Sequence, residues 1–482
     1  VAPARMRRRF SLLFVVALLA GIGVPGPVRA ADDAAWMFDP QVMVSIDLTI
    51  PGSSMEQISC DMGAPRPYVP ATFTMTYRPR RGSTKTFGPW EITLRVKGQY
   101  GSFRCLGDKA GLKLKFPSGS RPDGLKKMTL NNMVQDGSMV REVLSYEVFR
   151  SLGVAAPRTG YAKVTVNGTY QGIFLNLETM DDIALPRWFS STQHLYEGSY
   201  GPWWGDVGDP FSGHYDVDEG DPDDRSDLQN LLDTSRNLDP GWYARMQPIA
   251  DLEQMTKMWA AEWFLGHWDG YSQSITNNYY LHSDEAGRFS MLPWGTDQSF
   301  QWAERYQNAP DHYLYNGCVG DPICGGSYID ALQLIATRWS GYRLDRRADS
   351  VFRMVSAESG GVADVKGFVA ARANEHRDFI ATLPLAPLSL SLSASRNRRG
   401  EIRVTWRSPA WRRPPLAVPI TEFAVEYRLG SGPWTRTSVA PAMVSTSTLT
   451  LTGLPAGSYT VRVRSLSDSL QSPSVSRSVT VR

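Results

Sequence analysis

Between residues 42 and 132, apolar side chains fall at alternate positions in five short stretches: VMVSIDLTI, ATFTMTYRP, WEITLRVKG, GLKLKF and LKKMTLNN. Alternation of this kind predicts strands with one buried face. The period then changes. In SMVREVLSYEVFRSLG, residues 138–153, Met139, Val140, Val143, Leu144 and Val148 recur at helical spacing. Ser138 can cap the start of that helix, and Gly153 with Pro157 beyond it fits the end. Period two returns in YAKVTVNGTYQGIFLNLE, where Asn167-Gly168 predicts a tight hairpin turn. Two helices are predicted further on, in DLEQMTKMWAAEWFLGHW and YIDALQLIATRW. Between them lies NNYYLHSDEAGRFSMLPWGTDQSF, residues 277–300. It reads as a strand over 279–281, a turn over 283–287 and a second strand over 289–294, with amides at one end and Asp297 just past the other.

From residue 384 the pattern shortens. LPLAPLSLSLSAS is a Pro- and Ser-rich joint, and EIRVTWRSP, TEFAVEYRLG, STLTLTGLPAGSYTVRVRSL and SRSVTVR then alternate between turns. This predicts an all-β sandwich. Trp406, Tyr427 in VEYR and the run LPAGSYTVRV resemble the fibronectin type III pattern over nearly the whole segment. The resemblance implies that Trp406 and Tyr459 pack the core and that the module binds or spaces without chemistry of its own. The order upstream, strands, one helix, more strands and then a mostly helical half, outlines an α+β body with two lobes.

Composition narrows the compartment more than the fold. The 482 residues suffice for two or three domains of about 100–200 residues each. Hydrophobic residues at 42% and charged residues at 21% are ordinary for a globular chain. The net charge of +3, with Lys and Arg spread along the sequence, excludes an electrostatic case for nucleic acid. RMRRRF, SLLFVVALLAGIGV and PVRA form the basic, apolar and small-residue parts of a secretory signal peptide over residues 1–30, with Ala31 after the cut. The apolar part is shorter than the ~20 residues a spanning helix needs, and no later run is long enough. The expectation is a secreted or cell-surface protein with a body over 31–383 and a sandwich over 384–482. Four cysteines fit that compartment: Cys318 and Cys324 flank a Pro-containing turn, leaving Cys60 and Cys105, with three pairings open in principle.

Phosphoryl transfer from a nucleotide needs a carboxylate and an amide or second carboxylate for the metal, another carboxylate facing the acceptor hydroxyl, and a cation for the phosphates. Kinases put the acceptor-side Asp and the metal Asn before a hairpin and the metal Asp after it. HWDGYSQSITNNYY supplies Asp269, Asn277 and Asn278, and PWGTDQSF supplies Asp297. The competing reading makes the Asn pair a cap or turn and Asp297 an Asx turn.

Four stretches, VKGQYGSFRCLGDKAGLKLKF, LKKMTLNNMVQDGSMVRE, LGVAAPRTGYAKVTVNGTYQGIFLNLE and the hairpin, together resemble the CotH family of spore-coat protein kinases over most of residues 40–380. The resemblance implies an atypical two-lobed kinase-like fold that binds ATP with Mg or Mn and phosphorylates Ser/Thr acceptors in a protein substrate. It implies the acceptor-side role for Asp269, the metal amide for Asn278 with Asn277 behind it, and a metal carboxylate for Asp297, the second Asp of a Pro-Trp-Asp-x-Asp motif. Gly295 stands where the first Asp of that motif belongs. Lys113 is preferred for the phosphates, with Lys115 and Lys97 behind it, Glu142 as its helix partner and Glu178 between the lobes. Against these stand a half-buried strand with solvated lysines, exposed helix charges and a structural ion pair.

Because Gly295 removes a carboxylate and the leader directs the chain to where ATP is scarce, a catalytically degenerate body that attaches to an extracellular or cell-surface polymer is the second expectation. A metal-dependent hydrolase using Asp269, Asp297 and His267 is the third. YDVDEGDPDDRSD, with Asp216, Asp218 and Asp221, reads as a solvated loop, and Trp203 and Trp204 as core or a platform.

Overall fold

The alternating stretches of the first half close on themselves. In a computed structural model of the chain, which describes residues 33–79, 81–198, 215–273, 275–303, 312–394, 400–409, 418–439, 445–468 and 470–482, seven strands form a barrel. They are β1 (Met43–Thr49), β2 (Val69–Tyr77), β3 (Lys85–Lys97), β4 (Gly111–Lys115), β5 (Lys127–Asn131), β6 (Thr159–Val166) and β7 (Thr169–Leu177), in the spatial order β1-β2-β3-β4-β5-β7-β6. A parallel pairing of β1 with β6 completes the closure. Val44, Ile46 and Leu48 of β1, Leu112 and Leu114 of β4 and Phe174 of β7 are among the residues that fill the interior. Each such side chain gains about 1.5–3 kcal/mol over the exposed state, so the alternation alone decides which face turns inward. The predicted leader and Trp203 and Trp204 lie outside the described residues.

A short α1 (Gly52–Met55) follows β1, and α2 (Arg141–Ser151) leaves the barrel after β5. Ser138 does not cap α2: Met139 takes a φ of 60°, the helix begins at Arg141, and the Asp136 carboxylate accepts the Arg141 N–H at 2.9 Å. The β6–β7 turn is the expected one, with Asn167 and Gly168 both at positive φ.

The second half is built on a four-stranded sheet, β11-β10-β8-β9, comprising β8 (His194–Gly198), β9 (Tyr215–Glu219), β10 (Tyr279–Ser283) and β11 (Phe289–Pro293). Residues 215–219 are therefore a strand paired with β8, not part of a solvated loop. Helices α3 (Ser226–Ser235), α4 (Trp242–Met246), α5 (Leu252–Leu265), α6 (Tyr313–Gly320), α7 (Pro322–Trp339), α8 (Leu344–Val355) and α9 (Ala363–Ala381) accompany it. Trp242, Trp259, Trp263 and Tyr315 are central to the core shared by this sheet, the helices and α2. Disulfides join Cys60 to Cys105 and Cys318 to Cys324.

The last hundred residues form two further sheets. One holds β12 (Ser389–Ala394), β13 (Ile402–Arg407) and β16 (Thr446–Leu451). The other holds β14 (Glu422–Leu429), β15 (Thr435–Val439), β17 (Gly457–Ser467), β18 (Leu470–Gln471) and β19 (Val475–Val481). Part of the supposed joint is thus strand β12, whose Leu390 faces the core. Trp406 and Tyr459 are buried in that core, as expected. No helix among the described residues is long and apolar enough to cross a membrane.

Candidate functional site

The open end of the β10–β11 hairpin gathers three separate stretches of chain. Tyr279 pairs with Pro293, and the Trp294 N–H donates to the Asn278 carbonyl at 2.9 Å, so Asn278 and Gly295 stand side by side. Before the hairpin, α5 ends at Gly266, whose φ is +61° and whose missing side chain would meet the Gln301 backbone. Glu262 in the last turn of α5 accepts hydrogen bonds from the Tyr271 N–H at 3.0 Å, the Ser272 N–H at 2.9 Å and the Ser272 hydroxyl at 2.5 Å. Those bonds pin the loop that carries His267 and Asp269. After the hairpin, a single 3-10 turn, Thr296–Gln298, carries Asp297 and packs against α2.

Asn278 donates its amide Nδ2 to Asp269 Oδ2 at 2.8 Å. His267 Nδ1 stands 3.1 Å from Asp269 Oδ1, close enough for charge attraction but out of line for a hydrogen bond. Both atoms are consequently buried without a hydrogen-bond partner. Burial disfavours the His267 imidazolium, but Asp269, with help from Glu262 and Asp297, outweighs it and raises the pKa. Burial first and the Asp269 charge second push the Asp297 carboxyl up to about 7, against a pull from Lys97. Two carboxylates sharing a pocket in this way resist being charged together unless a cation joins them.

This donor set fits a hard divalent ion. It offers two carboxylates, one with a buried unpartnered oxygen, and an amide; Mg and Mn favour such oxygen ligands and use few from the protein when phosphates supply the rest. Among the described residues no three His, Cys, Asp or Glu side chains are grouped to hold a metal by themselves.

The cation of the site is Lys97, the last residue of β3. Its register partner on β4 is Gly111, and a side chain there would come within 3.0 Å of Lys97 Cγ. The ammonium lies 5.6 Å from the centre of the Trp294 ring. Burial lowers its pKa, and Glu142, Asp297 and Glu197 oppose that while Lys113 adds to it. Glu142, 3% exposed on α2, is pushed well above the usual carboxylate range by burial and then by the charge of Asp297, with Lys97 pulling the other way. Asn131 donates to Glu142 Oε2 at 2.6 Å, whereas Oε1 is buried with no partner.

Asp269, Asn278, Asp297 and Glu142 are thus brought together, and Asn278 rather than Asn277 reaches Asp269. Lys113 sits at the margin, 3.9 Å from Glu197. Lys115 is not in the cluster; its ammonium lies 4.1 Å from the Tyr68 ring centre. Glu178 is not in it either: Arg158, at 2.7 Å, and Arg187 close on its carboxylate. Lys97 ranks behind the other lysines by strand pattern, because only the β3–β4 register reveals the gap left by Gly111. Glu262 leaves one signal in the sequence, a lone carboxylate in the apolar run AAEWFL.

Residues 94–329 match the family model described as CotH kinase protein, so a CotH family domain is found there, and all the residues of the cluster fall inside it. The chain is 22% identical over 187 residues to the inner spore coat protein H of Bacillus subtilis (strain 168), over 37% of this chain and 51% of that protein. It therefore spans about half the length of that curated relative. Two solved structures are similar over 20% of this chain: a computationally redesigned β-sandwich protein, 23% identical over 94% of its own length with a TM-score of 0.16, and the chicken CNTN1 FN1-FN3 domains, 15% identical over 31% of theirs with a TM-score of 0.17.

Proposed function

We propose that this chain is an exported, atypical ATP-dependent protein Ser/Thr kinase of the CotH type. One observation carries the reading: buried Glu142 and half-buried Lys97 and Asp297 form a group of mutually interacting charges next to the Asp269–Asn278 pair, and oxygens on both sides of that group lack partners. Buried charge left open in this way is costly and is concentrated at functional sites. Asp297 and Asn278 would hold Mg or Mn. The metal-bound nucleotide supplies the transferable phosphoryl group. Lys97, with Glu142 acting on it through space, is the group for the phosphates, with Lys113 behind it, and Asp269 is the acceptor-side carboxylate. The C-terminal sheets serve as a fibronectin type III-like module that attaches the enzyme to an extracellular or cell-surface polymer.

A second reading, a kinase-like body that binds nucleotide or polymer without transferring phosphate, is favoured by Gly295 and by a leader that directs the chain to where ATP is scarce. Calorimetry of the mature chain with ATP, in Mg or Mn and in chelator, tests both. Metal-dependent ATP binding with incorporation of labelled phosphate into a Ser/Thr protein acceptor is the expected result. Binding without transfer leaves the second reading, and absence of binding removes the first.

A further inference from the structure

Position 295 has no side chain, and the space is already taken. A methyl group on Gly295 would lie 2.6 Å from Asn278 Cγ and closer still to Oδ1, far inside any real contact. Gly295 has a φ of +50° and Asn278 a φ of +55°, so both residues at the hairpin mouth adopt the left-handed conformation. The Asn278 carboxamide is wedged between two fixed neighbours. On one side its Nδ2 is bonded to Asp269 Oδ2, and Asp269 is held in a loop that Glu262 pins. On the other side its Oδ1 lies over the bare Cα of Gly295.

We infer that Gly295 is a positioning residue: its missing side chain is the seat of the Asn278 carboxamide, and the pair builds a site for one divalent cation rather than two. This rests on the metal-binding role proposed above for Asn278 and Asp297, and it turns the apparent defect at Gly295 into a requirement. A single doubly charged cation balances Asp269 and Asp297. A second would need a further carboxylate. Glu142 accepts from Asn131 and lies on α2, not at the hairpin mouth, and a carboxylate at 295 would have to displace Asn278 and break its bond to Asp269. Placing Asp at 295 therefore does not restore a missing ligand.

Mn binding to the full mature chain, followed by electron paramagnetic resonance with and without a non-hydrolysable ATP analogue, reads the stoichiometry directly. One Mn per wild-type chain is expected. Gly295→Ala and Gly295→Asp should weaken Mn binding by about 10–100-fold, the scale seen when a group that orients a metal ligand is lost. Both should lower the melting temperature, because the collision is steric. Combining Gly295→Ala with Asn278→Gly should recover the melting temperature but not the Mn affinity, an outcome that a merely structural role for position 295 would not give. Two Mn per wild-type chain, a rise from one to two in Gly295→Asp, unchanged Mn affinity in Gly295→Ala or no Mn binding at all would each overturn the inference. The kinase reading fails separately, if Mn binds as expected and the nucleotide analogue does not.

Discussion

Arg464 in the C-terminal sheets and Glu142 beside the hairpin are both almost completely buried ions, at 0% and 3% exposure, yet their surroundings differ in kind. Arg464 lies where β17 meets α7. Its guanidinium reaches Asp330 at 2.9 Å, the Gly326 carbonyl at 3.0 Å and the Ser472 carbonyl at 3.1 Å. Arg462 binds Glu426 and reaches the Ser327 hydroxyl at 3.1 Å, and Asp330 also accepts from the Ser474 N–H at 2.7 Å and its hydroxyl at 2.9 Å. No polar atom of Arg462, Arg464 or Glu426 is buried without a partner. Around Glu142 the reverse holds: Glu142 Oε1, Asp269 Oδ1 and both nitrogens of His267 have none. The cost of burying charge is the same in both places. In the first, each buried polar side-chain atom of the three ions has a partner inside the protein, so the cluster has little left to offer a ligand. In the second, the unmatched atoms are capacity for a cation, phosphates or an acceptor hydroxyl.

The strongest way to break this contrast is through stability. Glu426→Gln removes the one carboxylate fully enclosed by Arg462, Arg464 and Arg436, leaving Asp330 as the remaining carboxylate on Arg462 and Arg464. It should cost about 3–5 kcal/mol in urea unfolding and leave ATP affinity of the folded protein unchanged. Glu142→Gln should do the opposite. It removes a charge that burial and Asp297 already oppose, so stability should move by no more than about 1 kcal/mol, while ATP affinity falls because Lys97 loses a charge that favours its ammonium. Equal destabilisation by the two changes would mean that the site is as tightly matched as the cluster between β17 and α7.

The pH dependence sharpens the same point. The Asp297 carboxyl titrates near 7 in the folded protein and near 3.8 when unfolded. A folded pKa raised in this way means that the folded state holds the proton more firmly. Its contribution to stability is complete below about pH 4 and is lost as pH rises through 7. Asp297→Asn, which cannot ionise, should therefore exceed the wild type in stability by clearly more at pH 8 than at pH 5. Mn affinity of the wild type should rise across the same interval, since the metal takes the deprotonated form. An identical stability difference at the two pH values would remove Asp297 from the shared-charge pocket.

Much of this was legible before any coordinates. Period-two stretches located all seven barrel strands, the Asn167-Gly168 turn and the hairpin, because alternation and turn chemistry are local. Asp269, Asn278 and Asp297 stood out because a hairpin brings residues close in sequence close in space. Lys97 did not, because its access depends on Gly111 lying opposite it in another strand, a matter of register. Glu178 stays a candidate beside Glu142, and Lys115 one behind Lys113, because nothing local says that Arg158, Arg187 and Tyr68 will claim them. The standing of Gly295 was also beyond local reading, since its meaning lies in a side chain seventeen positions upstream. Val140 rather than Ser138 precedes α2, and Asp136 accepts its first N–H, because a positive φ at Met139 delays the helix by two residues; strand β12 lies within a Pro- and Ser-rich segment whose leucines nonetheless alternate.

The finest prediction applies the comparison inside the site, where the lysines differ in how far each is already committed. Lys97 has no carboxylate closing on it as Asp330 closes on Arg464; it interacts with Glu142, Asp297 and Glu197 through space. Lys113 is partly taken by Glu197 at 3.9 Å, and Lys115 by the Tyr68 face. A charge-assisted hydrogen bond to phosphate is worth about 1.5–3 kcal/mol, so Lys97→Ala should weaken ATP binding by about 10–100-fold. Lys113→Ala removes a more distant charge and should cost about 0.2–1 kcal/mol, at most about fivefold in affinity, and less at high salt. Lys115→Ala should be indistinguishable from wild type in ATP titration. The order, rather than any one value, is the test. If Lys113→Ala cost more than Lys97→Ala, commitment to a partner would not measure what a cation has left to give, and the phosphates would have to lie nearer β4 than the end of β3.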